Sequence, residues 1–308
     1  VFMVLMLPRL PALTTLEMLL VGGALAVVAA LAPLPLYLLA LMLFGLPHVL
    51  WELNWIRRTY RNCIPNAWWG VWALILLVQA LARLGAWQGW VQGETTMVVD
   101  LVTLALLMMT VIALAYRQGG VRAWLVAGAA LLLGYGLLWA VNHGDVVAVL
   151  VLLAIAHNFT PLLLVPPAQR FGDLSARRAL SLLFTLPWLL AAFLWLLGTR
   201  AAPGGLWMPS EAAWLQPYLG KGFGAVLSGL VLAQCLHYYS VLRLLPTTLR
   251  VPSPRQWQLG AVLVSGGLTA YFVSDFMAAR KLYAVAAGVH AWLEFPLILL
   301  LLRSKRDT

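Results

Sequence analysis

The chain has 308 residues, of which 63% are hydrophobic and 10% charged, with a mean hydropathy of +0.91 and a net charge of +10. Soluble domains average about 25% charged and about 45–50% apolar residues, so a soluble globular enzyme, a disordered tail and a small disulfide scaffold are all excluded. The positive charge is split into short clusters between apolar runs, which is a topological pattern and not a nucleic-acid patch.

Ten apolar runs follow one another along the chain, at 12–31, 34–56, 66–84, 95–116, 121–141, 145–165, 179–198, 221–245, 257–276 and 281–302. Each is near the ~20 residues that cross a bilayer core as a helix. The expected fold is therefore all-α, a polytopic bundle of about ten spans forming one integral membrane domain over 1–308. No cleavable signal is visible, so the first span is expected to stay. Pro33 and Pro35 separate the first two runs.

Of the 20 Lys and Arg residues, 15 fall at the two ends or in the connections after spans two, four, six and eight. They include Arg9, Arg57, Arg58, Arg61, Arg117, Arg122, Arg170, Arg177, Arg178, Arg243, Arg250 and Arg255, with Arg303, Lys305 and Arg306 at the far end. The opposite side holds five: Arg83, Arg200, Lys221, Arg280 and Lys281. This alternation predicts cytoplasmic N- and C-termini in a bacterial-type inner membrane. Trp51, Trp55, Trp68, Trp69, Trp124 and Trp257 fall near expected inner ends, and Trp87, Trp90 and Trp139 near outer ones. The longest connection, 199–220, is expected outside, with Ser210 able to cap a short helix. Cys63 and Cys235 form no redox or zinc motif, and no internal repeat is evident.

Ionisable groups inside apolar spans are costly and call for a reason. His143 lies in an expected surface turn, but His48, His157, His237 and His290 are within spans. His48 is nine residues before Arg57, His157 nine before Pro166, His237 nine before Pro246 and His290 thirteen before Arg303. At ~1.5 Å per residue, all four imidazoles lie roughly 14–20 Å from the inner boundary, near mid-membrane. Four histidines at one depth can converge on one metal. Glu52 follows His48 by four positions and Glu294 follows His290 by four, so each pair shares a helix face. Each glutamate is expected to orient a ligand imidazole or to bind metal itself. Asn158 and Tyr238 adjoin two of the histidines and are candidates for catalytic contacts. Asp100 and Asp275 are expected to be solvated at outer span ends, and Gly220, Gly224, Gly266 and Gly267 to serve helix packing.

Two stacked haems would want histidine pairs at two depths, and a single bis-histidine haem leaves two histidines over. Four imidazoles suit bare Fe, Cu or Zn, and the lack of cysteine ligands argues against structural zinc.

Phe44-Gly45-Leu46-Pro47-His48 resembles the G-[LI]-P-H-G-A-L-D motif of the Brp/Blh family of membrane β-carotene 15,15′-dioxygenases, with Glu52 where that motif has its acid. Val289-His290-Ala291-Trp292-Leu293-Glu294 is similar to the family's last motif. Ala156-His157-Asn158-Phe159 and Cys235-Leu236-His237-Tyr238-Tyr239 look like degenerate forms of its middle motifs. The tail of the first motif is replaced by Val49-Leu50-Trp51-Glu52, Pro161 stands where a middle motif has an acid, and Val241 replaces a second histidine. The resemblance implies non-haem Fe(II) held by histidines, O2 as co-substrate and an apolar, isoprenoid or carotenoid-like substrate taken from the bilayer. Three other readings stand beside it: a mono-haem b-type electron-transfer protein, a transporter using the His/Glu set for protons or metal ions, and a di-metal oxygenase with Glu52 and Glu294 as ligands.

Overall fold

The computed structural model describes residues 15–61, 64–118, 121–143, 146–165, 169–171, 174–198, 222–249 and 254–301. The 199–220 connection with Ser210, Cys63, Lys221, Arg250 and the terminal basic residues Arg9, Arg303, Lys305 and Arg306 lie outside them. In chain order the helices are α1 (Thr15–Leu31), α2 (Pro33–Tyr60), α3 (Asn66–Trp87), α4 (Gly93–Gln118), α5 (Val121–Asn142), α6 (Val146–His157), α7 (Pro161–Leu164), α8 (Ala176–Leu196), α9 (Phe223–Tyr239), α10 (Arg255–Ser274) and α11 (Phe276–Leu301). A two-stranded antiparallel pair, β1 (Arg170–Phe171) and β2 (Leu174–Ser175), precedes α8 with Arg170 opposite Ser175.

The fold is all-α. Among the described residues six segments are long and apolar enough to cross a membrane: α2, α3, residues 93–114 of α4, α8, α9 with its extension to Thr248, and residues 276–299 of α11. The expected span at 145–165 is not one helix. α6 stops at His157 after 12 residues, about 18 Å, too short for a ~30 Å core. Pro161 explains the stop. It disfavours helical geometry at Thr160. The chain tightens into three-residue turns, with the N–H groups of Asn158, Phe159 and Thr160 donating to the carbonyls of Ile155, Ala156 and His157.

The chain divides into two compact units, residues 1–55 with 161–267, and residues 56–160 with 268–308. In the first unit α1, α8 and α9 pack on one another. Leu34 and Ala40 of α2 and Phe223, Leu227, Val231, Cys235 and Tyr238 of α9 form its buried cluster, with Tyr37 and Phe44 against it. The α9 stripe recurs at helical spacing and ends beside His237. α8 and α9 approach closely because Gly229 lacks a side chain: a Cβ there would sit 2.8 Å from the Pro187 carbonyl oxygen. Beyond Tyr239 the helix widens into a π turn over Ser240–Leu244 and then a 3₁₀ turn over Leu245–Thr248. Single π turns inside helices are frequent at functional sites. Trp55 Nε1 donates to Thr248 Oγ1 at 2.9 Å.

In the second unit α3, α4, α5, α6 and α11 pack together. α4 buries Leu104, Leu107, Met108, Val111 and Leu114, the stripe expected of a core-facing helix. Trp72 Nε1 donates to Thr110 Oγ1 at 2.6 Å, satisfying the one polar atom of a fully buried ring. Asp100 departs from expectation. It is 3% exposed and paired with Arg83 at 2.6 Å, so it is not a solvated interfacial acid. Asp275 is exposed, and its Oδ1 accepts from the Ala278 N–H at the start of α11.

Candidate metal centre

In the first unit α2 supplies His48 and Glu52, and α9 supplies His237 and Tyr238. His48, Glu52 and His237 are at most 1% exposed. His48 and Glu52 lie on the buried stripe of α2 with Leu41, Gly45, Trp55 and Ile56, which is why both point inward. His48 Nδ1 donates to the Phe44 carbonyl oxygen at 3.1 Å. A carbonyl only accepts, so Nδ1 carries a proton, and in the neutral ring Nε2 keeps the lone pair. The His48 and His237 rings meet edge-on, with centroids 5.2 Å apart and planes at 82°. Their nearest ligand nitrogens lie within 4.8 Å. The Tyr238 ring lies against His48 with centroids 4.2 Å apart and planes tilted by 30°, and its hydroxyl oxygen accepts from Gln234 Nε2 at 2.7 Å.

The second unit repeats this constellation. α11 supplies His290 and Glu294, and α6 supplies His157 at its last residue. His290 and Glu294 are at most 1% exposed and His157 9%. The His157 and His290 rings also meet edge-on, at 4.6 Å and 82°. His157 Nδ1 donates to Glu294 Oε2 at 2.8 Å, an arrangement that in the neutral ring turns the Nε2 lone pair out as a ligand. Thr160 holds the helix end that carries this ring, its hydroxyl donating to the His157 carbonyl at 2.7 Å.

One contact in each unit differs from the pattern that spacing suggests. A glutamate four residues after a histidine is expected to serve that histidine. Instead Glu294 serves His157, and Glu52 Oε2 lies 3.4 Å from His237 Nε2. The carboxylate of each His-x3-Glu helix thus reaches the histidine of the other helix in its unit. At 2.8 Å the Glu294 contact is a charge-assisted hydrogen bond, the role of a group that orients a ligand.

The other two candidates take local roles. Asn158 Nδ2 lies 3.4 Å from the Ala154 carbonyl oxygen, a bond within its own turn. Tyr238 presents its ring, not its hydroxyl, to His48. Gln234 and Thr160 were not among the sequence-derived candidates. The signal for Gln234 was a lone amide in an apolar helix, one turn before Tyr238. The signal for Thr160 was its place before Pro161.

The donor set fits a divalent transition metal: imidazoles in apolar spans, two of them donating through Nδ1 so that Nε2 is the nitrogen a neutral ring offers. No protein-family model, curated protein or solved structure matches the chain.

Proposed function

We propose that the chain is a membrane-embedded non-haem iron oxygenase that acts with O2 on an apolar, isoprenoid or carotenoid-like substrate. In this proposal His48, His157, His237 and His290 hold one Fe(II), and the chain is a multi-pass protein of a bacterial-type inner membrane with both termini in the cytoplasm. The observation that carries the proposal is the His157–Glu294 hydrogen bond: a fully buried carboxylate prepares an imidazole as a ligand within an apolar helix bundle. His48 is prepared in the same sense by the Phe44 carbonyl. The common depth of the four histidines in the sequence and the resemblance of Phe44–His48 to the Brp/Blh motif support the same reading.

Bound iron would supply the redox capacity that lets O2 react with an alkene. The chain's own contribution is to bind and orient. Phe44 O and Glu294 hold two imidazoles in the ligand tautomer, and Tyr238 keeps the His48 ring from turning. In this reading the apolar helix faces would receive a hydrocarbon chain and keep water away, which favours productive oxidation over leakage. Glu52 and Glu294 are acids able to hold or pass a proton at Oε2.

The test is metal analysis and an optical spectrum on the purified full chain, loaded anaerobically with Fe(II). The expected result is one iron per chain, no Soret band, loss of iron in each His→Ala variant, and O2-dependent consumption of an isoprenoid substrate. Two irons per chain would give each unit its own metal and overturn the shared site. A Soret band would replace the proposal with a haem protein. Exchangeable, substoichiometric metal with flux in liposomes would replace it with a transporter.

A further inference from the structure

The second unit holds a charged cluster that the proposed metal chemistry does not use. Arg83 on α3 grips Asp100 on α4 with two parallel bonds, Nε to Oδ1 at 3.0 Å and Nη2 to Oδ2 at 2.6 Å. Gln79, one turn earlier on α3, donates Nε2 to the same Oδ1 at 2.8 Å. The remaining arm of the guanidinium, Nη1, donates to the Ala284 carbonyl on α11 at 2.9 Å. Three helices meet on one planar group. A two-point arginine–carboxylate fork is directional, so the guanidinium has a set orientation as well as a set place.

That orientation matters at Gly288. A Cβ there would lie 2.7 Å from Arg83 Nε and 2.8 Å from Cζ. A long side chain usually swings away from such a contact. This one is held by Asp100 and by Ala284, so the helix would have to yield. Ala284 and Gly288 are four apart and share one face of α11. His290 and Glu294 are also four apart, on a face turned by about 240° from the first, or about 120° the other way round, at ~100° per residue. The arginine therefore packs on a different face of α11 from the one that carries the histidine and the glutamate. Gly288 is only about 3 Å along the axis from His290.

We propose that Arg83, Asp100 and Gln79, with Gly288 as the seat, form a positioning device that sets the rotation and height of α11. It holds His290 edge-on to His157 and Glu294 within hydrogen-bond reach of His157 Nδ1. For its link to metal affinity the inference rests on the iron reading. For the placement of α11 it stands on the geometry of the second unit alone.

The test compares wild type, Gly288→Ala, Asp100→Asn, Arg83→Lys and Gly288→Ala/Arg83→Lys, all as the full chain in detergent. Two readouts are taken: Co(II) affinity by optical titration, and amide hydrogen exchange of residues 284–294 against 227–237 of the first unit. Gly288→Ala and Asp100→Asn are expected to weaken Co(II) binding at least tenfold and to speed exchange in 284–294 alone. Lysine lacks the planar fork that meets the new methyl group. Gly288→Ala/Arg83→Lys is therefore expected to bind Co(II) more tightly than the sum of the single changes allows, a coupling that plain destabilisation does not produce. If Co(II) affinity and exchange are unchanged in Gly288→Ala, the positioning device is overturned and the metal reading stands. If wild type binds no Co(II), the metal reading fails, and exchange in 284–294 alone decides the inference. Should Asp100→Asn fail to fold, Gly288→Ala carries the test.

Discussion

Glu294 accepts its 2.8 Å hydrogen bond from His157, 137 positions away, and not from His290 one turn behind it on the same helix. The carboxylate thereby ties α6 to α11 while fixing the tautomer of a candidate ligand. Glu52 and His237 stand in a similar relation between α2 and α9. Each pair lets an ionisable group persist in an apolar interior, where an isolated charge is costly.

This role for Glu294 can be separated from direct ligation. Glu294→Gln keeps an acceptor for the Nδ1 proton of His157 but loses the charge. Loss of such an orienting partner typically costs about 10–100-fold in metal affinity. Titration with Co(II) should show Glu294→Gln at the lower end of that range and Glu294→Leu at the upper end. Complete loss of binding in Glu294→Gln would identify the carboxylate as a ligand.

Tyr238 offers a second separation. Tyr238→Phe removes the hydroxyl bonded to Gln234 and keeps the ring over His48. Its expected cost is about 1 kcal/mol of stability, the worth of one hydrogen bond, with metal content unchanged. Tyr238→Ala leaves a cavity in the first unit's buried cluster and should cost about 3–5 kcal/mol. Denaturant melts and metal analysis on the two variants distinguish a supporting ring from a catalytic hydroxyl.

Gly229→Ala addresses the packing of α8 on α9. The new methyl group would press on the Pro187 carbonyl oxygen, which is backbone and cannot rotate away. Overpacking of this kind costs about 1–3 kcal/mol. The thermal midpoint should fall, while Co(II) affinity of the folded protein changes less than in the Gly288 variant.

Arg243 binds Glu17 through two parallel contacts, at 2.9 and 3.0 Å, with Glu17 about a third exposed. Solvent screening at that carboxylate limits the pair to about 1 kcal/mol or less. Glu17→Gln should therefore shift the melting midpoint little and flatten its dependence on salt. A large, salt-independent loss would show that the pair is sealed from solvent in the membrane.

If iron binds the native state alone, its removal must destabilise the chain. At a free metal concentration near 100 times the dissociation constant, linkage is worth about 2.7 kcal/mol. Chelation should lower the melting midpoint of wild type and leave His290→Ala unchanged. Equal shifts in both proteins would mean that the chelator acts elsewhere.

Much of the fold is legible in the run lengths alone. Residues 66–84 and 95–116 are predominantly apolar stretches, and α3 and α4 cover them. The break after His157 was also written in the chain, as Pro161, but hydropathy averaged over 145–165 passes over it. Asp100 shows the opposite limit. Nothing near it in sequence announces burial, because its partner Arg83 arrives from another helix. Gly288 is likewise one glycine among 25 until Arg83 is seen against it.

By itself the sequence determined that the chain is helical and apolar, and it singled out four histidines and two glutamates within its spans. Composition and helical spacing decide such things, because backbone hydrogen bonds in an apolar medium must close within each helix. Spacing also decides that His290 and Glu294 share a face. It cannot decide which ring a carboxylate reaches, since that depends on the neighbour packed a few ångströms away. Only the tertiary structure gave Glu294 to His157, set the His48 ring under Tyr238 and laid Arg83 on Gly288.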